Sequence, residues 1–240
     1  MNDRIYVDSP MVAEPKPFDF RESFDFFGDT DFISQAPSNA IDVQFSKSMV
    51  ELQDACHPLC MDLMKLLGMG LELDDEDYFV RRSKWLQDNK SPSYKTFRAL
   101  YYPAIPENIE IPVGQARVKE HSDHGFITLL FQDDTGGLEV RDREGNWIAA
   151  DPIHGSIVVN IGDLLEFWSG GYLRATKHRV LIPELEIQKR ISRQSIVYFL
   201  HPDSQTTLSP LPSKLIKKYH FSSILSGDFA EAKLAGVKSY

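Results

Sequence analysis

A chain of 240 residues with 35 acidic against 26 basic side chains, net charge −9, repels phosphate backbones and anionic lipid, which excludes nucleic acid and membrane surfaces as general partners. Its 42% hydrophobic and 25% charged content is that of a globular protein able to bury one sizeable core, and excludes a disordered or fibrous chain. The start Met1-Asn2-Asp3-Arg4-Ile5 lacks the apolar run of a signal peptide, and no stretch approaches the ~18 apolar residues of a membrane span. Cys56 and Cys60, four residues apart, fit two reduced core cysteines on one helix face; a cytoplasmic protein is expected.

Residues Met1 to Asn39 are rich in Pro, Asp and Phe and show no period, so they read as an irregular arm. From Ser48 the apolar residues Met49, Leu52, Cys56, Leu59, Cys60, Leu63, Leu66 and Leu67 recur at steps of three and four, the pattern of an amphipathic helix. Pro58 falls inside it and is expected to kink or split it. The acidic run Asp74 to Asp77 suits the start of a second short helix. After Pro92 the pattern turns to strands. They are expected at Thr96–Tyr102, Ala116–His121, Gly125–Phe131, Gly137–Arg141, Trp147–Ala149, Ser156–Asn160, Leu164–Trp168, Thr176–Ile182 and Ser192–Leu200. The tail from Ser213 to Ala235 reads as helical again. The fold class is then mainly β, a jelly-roll (double-stranded β-helix) core with an N-terminal helical layer and a C-terminal helix. Its expected divisions are an arm and helical layer over 1–92, the core over 93–205 and a tail over 206–240.

His121-Ser122-Asp123 ends a predicted strand, and residues at i and i+2 of a strand share a face. An imidazole and a carboxylate there can converge on one ion, with His178 in the strand-like Thr176–Val180 as third ligand. Two neutral imidazoles and one carboxylate leave three positions of an octahedral ion free, the donor set of iron(II) oxygenases; catalytic zinc sites use the same residue types. His57, His154, His201 and His220 read as structural or surface residues, and His124 faces the other side of the strand from Asp123. Arg193-Gln194-Ser195 places a guanidinium and a hydroxyl on one face of a buried strand, suited to two-pronged capture of a carboxylate such as the far end of 2-oxoglutarate. Arg190-Ile191-Ser192 offers a second pair on the opposite face. The apolar run Ile196 to Leu200 favours the later pair.

Several stretches together resemble the isopenicillin N synthase-like branch of the iron(II)/2-oxoglutarate-dependent dioxygenases. They are Leu100-Tyr101-Tyr102-Pro103, His121-Ser122-Asp123-His124-Gly125 with Thr128-Leu129-Leu130, Gly136-Gly137-Leu138-Glu139-Val140, Asn160-Ile161-Gly162-Asp163, Trp168-Ser169-Gly170-Gly171, Lys177-His178-Arg179-Val180 and Arg193-Gln194-Ser195. They keep the family's order over about residues 95 to 205, and Phe20 to Phe24 resembles part of its N-terminal region. The resemblance implies Fe(II) on His121, Asp123 and His178, 2-oxoglutarate on Arg193 and Ser195, and Tyr102 as a further contact to that cosubstrate, with O2 as oxidant. It implies a small organic substrate, hydroxylated with release of succinate and CO2, in a pocket near Tyr102, Phe126 and Phe199. Asn160 to Asp163 reads as a structural turn. Family members carry a longer N-terminal part, so a reduced cover over the barrel is expected here. An inactive metal- and 2-oxoglutarate-binding module, a 2-oxoglutarate-independent oxidase of the same fold and a zinc hydrolase are the alternative readings. The substrate and the oligomeric state are not legible.

Overall fold

The protein is described from a computed structural model, covering residues 21–26, 40–84, 96–107, 109, 111, 115–182, 190–217 and 221–236. The helix expected from Ser48 begins earlier and runs unbroken as α1, Ala40–Gly70, with Pro58 inside it. Pro58 is exposed, and the buried stripe Met49, Cys56, Cys60 and Met64 runs past it on the other side. A proline in a helix interior costs about 3 kcal/mol, which the packing of that stripe offsets. The helix is not split. Past the acidic run, turns lead only into a 3-10 turn, Val80–Arg82.

Eleven strands follow in chain order among the described residues. They are β1 (Glu22–Phe26), β2 (Thr96–Tyr102), β3 (Ala116–His121), β4 (Ile127–Gln132), β5 (Leu138–Arg141), β6 (Trp147–Ala149), β7 (Val158–Ile161), β8 (His178–Leu181), β9 (Arg193–Leu200), β10 (Thr207–Leu208) and β11 (Ile224–Leu225). Two antiparallel sheets form the core, one ordered β1-β2-β9-β4-β7 and one ordered β3-β8-β5-β6. The stretch read as an irregular arm thus contributes an edge strand, β1, to the larger sheet; the rest of that arm lies outside the described residues.

Two expected elements change. Leu164 to Trp168, read as a strand, forms helix α2, Asp163–Trp168, burying Leu164, Leu165 and Trp168. A five-residue apolar run does not distinguish a buried strand from one buried helical turn, and Asp163 at the helix start favours the helix. The tail is only partly helical: β10 and β11 pair before helix α3, Ser226–Leu234.

Strand alternation gives the larger sheet two different faces. Phe97, Ile127, Leu129, Tyr198 and Leu200 point to the α1 side and join Met49, Cys56, Cys60 and Met64 in one hydrophobic core. The residues between them, Arg98, Thr128, Leu130, Val197 and Phe199, line a cavity whose other wall is the smaller sheet, with Val118, Leu138, Val140 and Val180. No helix among the described residues is long and apolar enough to cross a membrane.

Candidate metal centre

His121 ends β3 and His178 opens β8, and the two are direct cross-strand partners, with a register irregularity between Val118 and His121. Asp123 lies two residues past the end of β3 and is buried. The His121 and His178 Nε2 atoms stand 3.9 Å and 3.6 Å from Asp123 Oδ1. Among the described residues these three form the group of histidine and carboxylate ligand atoms, all within 4.8 Å of one another, that could hold a metal ion.

The surroundings prepare each donor. His121 Nδ1 lies 2.9 Å from the Lys119 carbonyl and His178 Nδ1 lies 3.0 Å from that of Thr176. A carbonyl only accepts, so the proton sits on Nδ1 and the Nε2 lone pair faces Asp123. Burial, together with neighbouring His178, pushes the His121 pKa below its ordinary value and favours the neutral, metal-binding imidazole. Asn160 Nδ2 donates to Asp123 Oδ2 at 2.7 Å, leaving Oδ1 for the histidines' side. The donor set therefore fits a divalent ion.

The loop that carries Asp123 is held by the turn between β7 and α2. Gly162 N–H donates to Phe126 O (3.1 Å), Asp163 N–H to Asp123 O (2.7 Å) and Leu164 N–H to Gly125 O (3.0 Å). The two segments touch so closely that a Cβ on Gly162 would lie 2.2 Å from Gly125 O. Asn160 to Asp163, read as a structural turn, is thus also the support of the metal loop. Asn160 itself lines the cavity. The signal that could have placed it there is the alternation of β7, which turns Val158 and Asn160 to one face.

Along the cavity wall, Arg193 and Ser195 share a face of β9, as their spacing predicts, and both are buried. Arg193 Nε donates to Gly136 O at 2.9 Å, Nη1 to Ser195 Oγ at 3.2 Å and Nη2 to Gln132 Oε1 at 3.3 Å. Tyr102 pairs with Arg193 across β2 and β9, and its ring lies 5.2 Å from the Arg193 Cζ. Arg117, also buried, lies 5.6 Å from the same ring and donates to Ile191 O. Burial, with Arg193 nearby, lowers the Arg117 pKa to about 10, so it stays charged at neutral pH and adds positive potential to this end. Burial likewise lowers that of Arg193. The alternative Arg190 turns elsewhere, to the carbonyls of Ile105, Pro106 and Ile109.

Of the aromatic residues expected near the pocket, Tyr102 and Phe199 line the cavity. Phe126 does not: its ring packs 5.1 Å from Phe79 and 6.0 Å from Trp168 in the helix-side core. His124, His154, His57 and His201 stay out of the cluster, and His220 lies outside the described residues. Sequence reasoning passed over Gln132, which steadies Arg193, and the cavity residues Arg21, Arg98 and Thr128.

Residues 94–202 match the model of the 2OG-Fe(II) oxygenase superfamily. The chain belongs to that superfamily. A proline hydroxylase, buaE, of Petromyces alliaceus is 32% identical over 85% of this oxygenase-superfamily chain and 64% of its own length. The crystal structure of a full-length Neurospora crassa protein in complex with alpha-KG and thymine superimposes with a TM-score of 0.75 at 32% identity, over 91% of this chain and 65% of that one. Rice dioxygenase for auxin oxidation gives a TM-score of 0.70 at 26% identity, over 98% and 74% of the respective chains. The chain spans 61% to 66% of the length of the first curated relatives it matches.

Proposed function

We propose that this chain is an iron(II)- and 2-oxoglutarate-dependent oxygenase that hydroxylates a small organic substrate, with 2-oxoglutarate converted to succinate and carbon dioxide. The observation that carries the reading is the convergence of His121 Nε2, Asp123 Oδ1 and His178 Nε2 in a cavity whose wall also presents Arg193 and Ser195. In this reading those three side chains hold the ion, and their common side leaves the cavity side for cosubstrate and dioxygen. Iron(II), when bound with 2-oxoglutarate, supplies the activation of dioxygen that no side chain provides.

The protein's own part is binding, orientation and exclusion of water. Arg193 and Ser195 receive the far carboxylate of 2-oxoglutarate: a buried guanidinium with a hydroxyl beside it gives charge-assisted hydrogen bonds where bulk water does not compete. Tyr102, with its ring against that guanidinium, holds it in place and adds a phenol. Asn160 keeps Asp123 turned so that one oxygen faces the histidines. Leu138, Val140, Val158, Val180 and Val197 line the cavity with apolar surface that sheds water from the reacting atoms. A proline hydroxylase and a thymine-bound structure among the similar proteins support a small organic substrate. The match over 94–202 supports a core over 93–205. Free, buried Cys56 and Cys60 support a reducing compartment such as the cytoplasm.

The test is an anaerobic titration of the metal-free protein with iron(II), then 2-oxoglutarate, followed by the visible charge-transfer band of the chelate. The expected result is a band that Asp123→Ala abolishes and Arg193→Ala weakens. Iron binding with no band at any 2-oxoglutarate concentration would refute the cosubstrate assignment.

A further inference from the structure

The cavity carries more positive charge than metal and cosubstrate account for. Its lining includes Arg21, Arg98 and Arg193, and Asp123 is the one acidic side chain among the described lining residues. A second carboxylate, Asp25, grips Arg98 in a two-pronged ion pair, with Nε to Oδ1 at 2.6 Å and Nη2 to Oδ2 at 2.7 Å. Asp25 stands directly opposite Arg98 across β1 and β2, so both occupy the cavity face. Arg21 stands four residues before Asp25 and lines the same cavity; Glu22, one residue on, is exposed.

The balance follows group by group. Iron(II) and doubly charged 2-oxoglutarate cancel each other. The far carboxylate of 2-oxoglutarate faces Arg193, Asp123 faces the ion, and Asp25 neutralises Arg98. Counted over the described residues that line the cavity, with Asp25, one positive charge is left over, and it resides on Arg21, which has no ion-pair partner among the described residues. Arg117, 5.6 Å from the Tyr102 ring, does not line the cavity and adds to the same positive sign. A positive cavity inside a chain of net charge −9 is a local arrangement against the global trend, and low-dielectric walls focus its field on whatever enters.

Building on the oxygenase reading, we infer that the site takes a small substrate bearing a single negative charge, a monocarboxylate, with Arg21 as its counter-charge. Asp25 sets the strength of that preference by cancelling Arg98. A neutral substrate of the same shape would leave the surplus charge of the cavity unpaired, so discrimination acts through charge rather than fit.

The experiment uses the full chain with iron(II) and saturating 2-oxoglutarate, without oxygen. Benzoate and benzamide, which share a ring and size and differ in charge, are titrated by calorimetry while the chelate band is monitored. The expected result is about tenfold tighter binding of benzoate than of benzamide, weakened by salt. Arg21→Gln removes the preference. Arg98→Gln also removes it, because it leaves Asp25 unpaired. Asp25→Asn, which keeps the shape and frees the Arg98 charge, increases it; a merely structural Asp25 would not produce that gain. Thermal melts identify which variants are folded, and Arg21→Gln and Asp25→Asn test the inference separately. Equal affinity for both probes with the band intact overturns the inference and leaves the oxygenase reading standing. Benzoate that erodes the band has taken the place of 2-oxoglutarate and likewise overturns it. A band that never forms, before any probe is added, overturns the oxygenase reading instead.

Discussion

Gly162 stands where β7 passes into α2, and its backbone (φ −101°, ψ 174°) is one that any residue adopts. Space, not conformation, reserves the position for glycine. In Gly162→Ala the new Cβ would fall 2.2 Å from Gly125 O, 2.7 Å from Gly125 C and 2.9 Å from Asp123 O. Real Cβ contacts stay beyond 3.0 Å, so the turn and the metal loop must part by about 0.8 Å or more. Three hydrogen bonds of 2.7, 3.0 and 3.1 Å cross that seam. Stretched by that much, each reaches or passes the limit of a hydrogen bond. At about 1 kcal/mol net apiece the loss is roughly 3 kcal/mol. The same parting drags Asp123 away from His121 and His178. Urea unfolding at neutral pH should therefore show a destabilisation of about 3 kcal/mol, and iron(II) affinity should fall with it. Gly70→Ala is the control, since nothing lies within 4 Å of its Cβ, and it should be neutral. If Gly162→Ala matches the wild type within about 0.5 kcal/mol and binds metal equally well, the account of this seam is wrong.

Asn160→Ala should keep the fold and lower iron(II) affinity by roughly 10- to 100-fold, the usual cost of losing a group that orients a metal ligand; equilibrium dialysis against iron(II) measures it, and unchanged affinity would mean that Asp123 is held by its neighbours alone. Arg193→Met should leave iron(II) binding intact and weaken 2-oxoglutarate by about 30-fold or more, the worth of a charge-assisted pair, read from the midpoint of the chelate band. Burial first, and then His124, pushes the His201 pKa down to about 4. The unfolded chain therefore takes up a proton there, near pH 6.5, that the folded chain refuses. The stability that this site contributes is whole above about pH 6.5 and is lost as pH falls through the window down to about 4, by up to about 3 kcal/mol. Urea midpoints at pH 7.5 and 4.5 should fall further for the wild type than for His201→Gln; an equal fall in both would show that other groups set the acid limb.

The parts of the site that were legible in the sequence are those whose geometry is local. Arg193 and Ser195 share a face because they are two residues apart on one strand, and His121 and Asp123 are two residues apart where β3 ends, close enough for both to reach one ion. Asn160 was read as part of a turn because its partner, Asp123, is distant in sequence and is brought near only by the docking of the β7–α2 turn on the metal loop. Arg98 belongs to the site through Asp25, on a strand in a stretch that showed no period of its own. The misread elements follow the same division. The run from Leu164 to Trp168 is apolar enough for a buried strand or for one helical turn; Asp163 at its start leans towards the helix, and the packing of Trp168 against Tyr78, Phe79 and Phe126 settles it. Pro58 in α1 is an exposed breaker outvoted by a buried stripe, and a propensity read residue by residue cannot weigh that.

The larger sheet explains why one short stretch of chain can serve both stability and chemistry. In β4, Ile127 and Leu129 enter the core under α1, whereas Thr128 and Leu130 face the cavity. In β9, Tyr198 and Leu200 enter that core, whereas Arg193, Ser195, Val197 and Phe199 face the cavity. A shift of register by one residue would exchange the two sets, burying Arg193 under the helix and turning Leu200 towards the metal. The apolar half of each strand therefore fixes the register in which the polar half becomes a site. The cost of slipping that register is the whole buried face of the sheet, far more than any contact within the cavity. For that reason the cavity residues can be charged, unpaired or exchanged for other chemistry while the strands that present them stay in place.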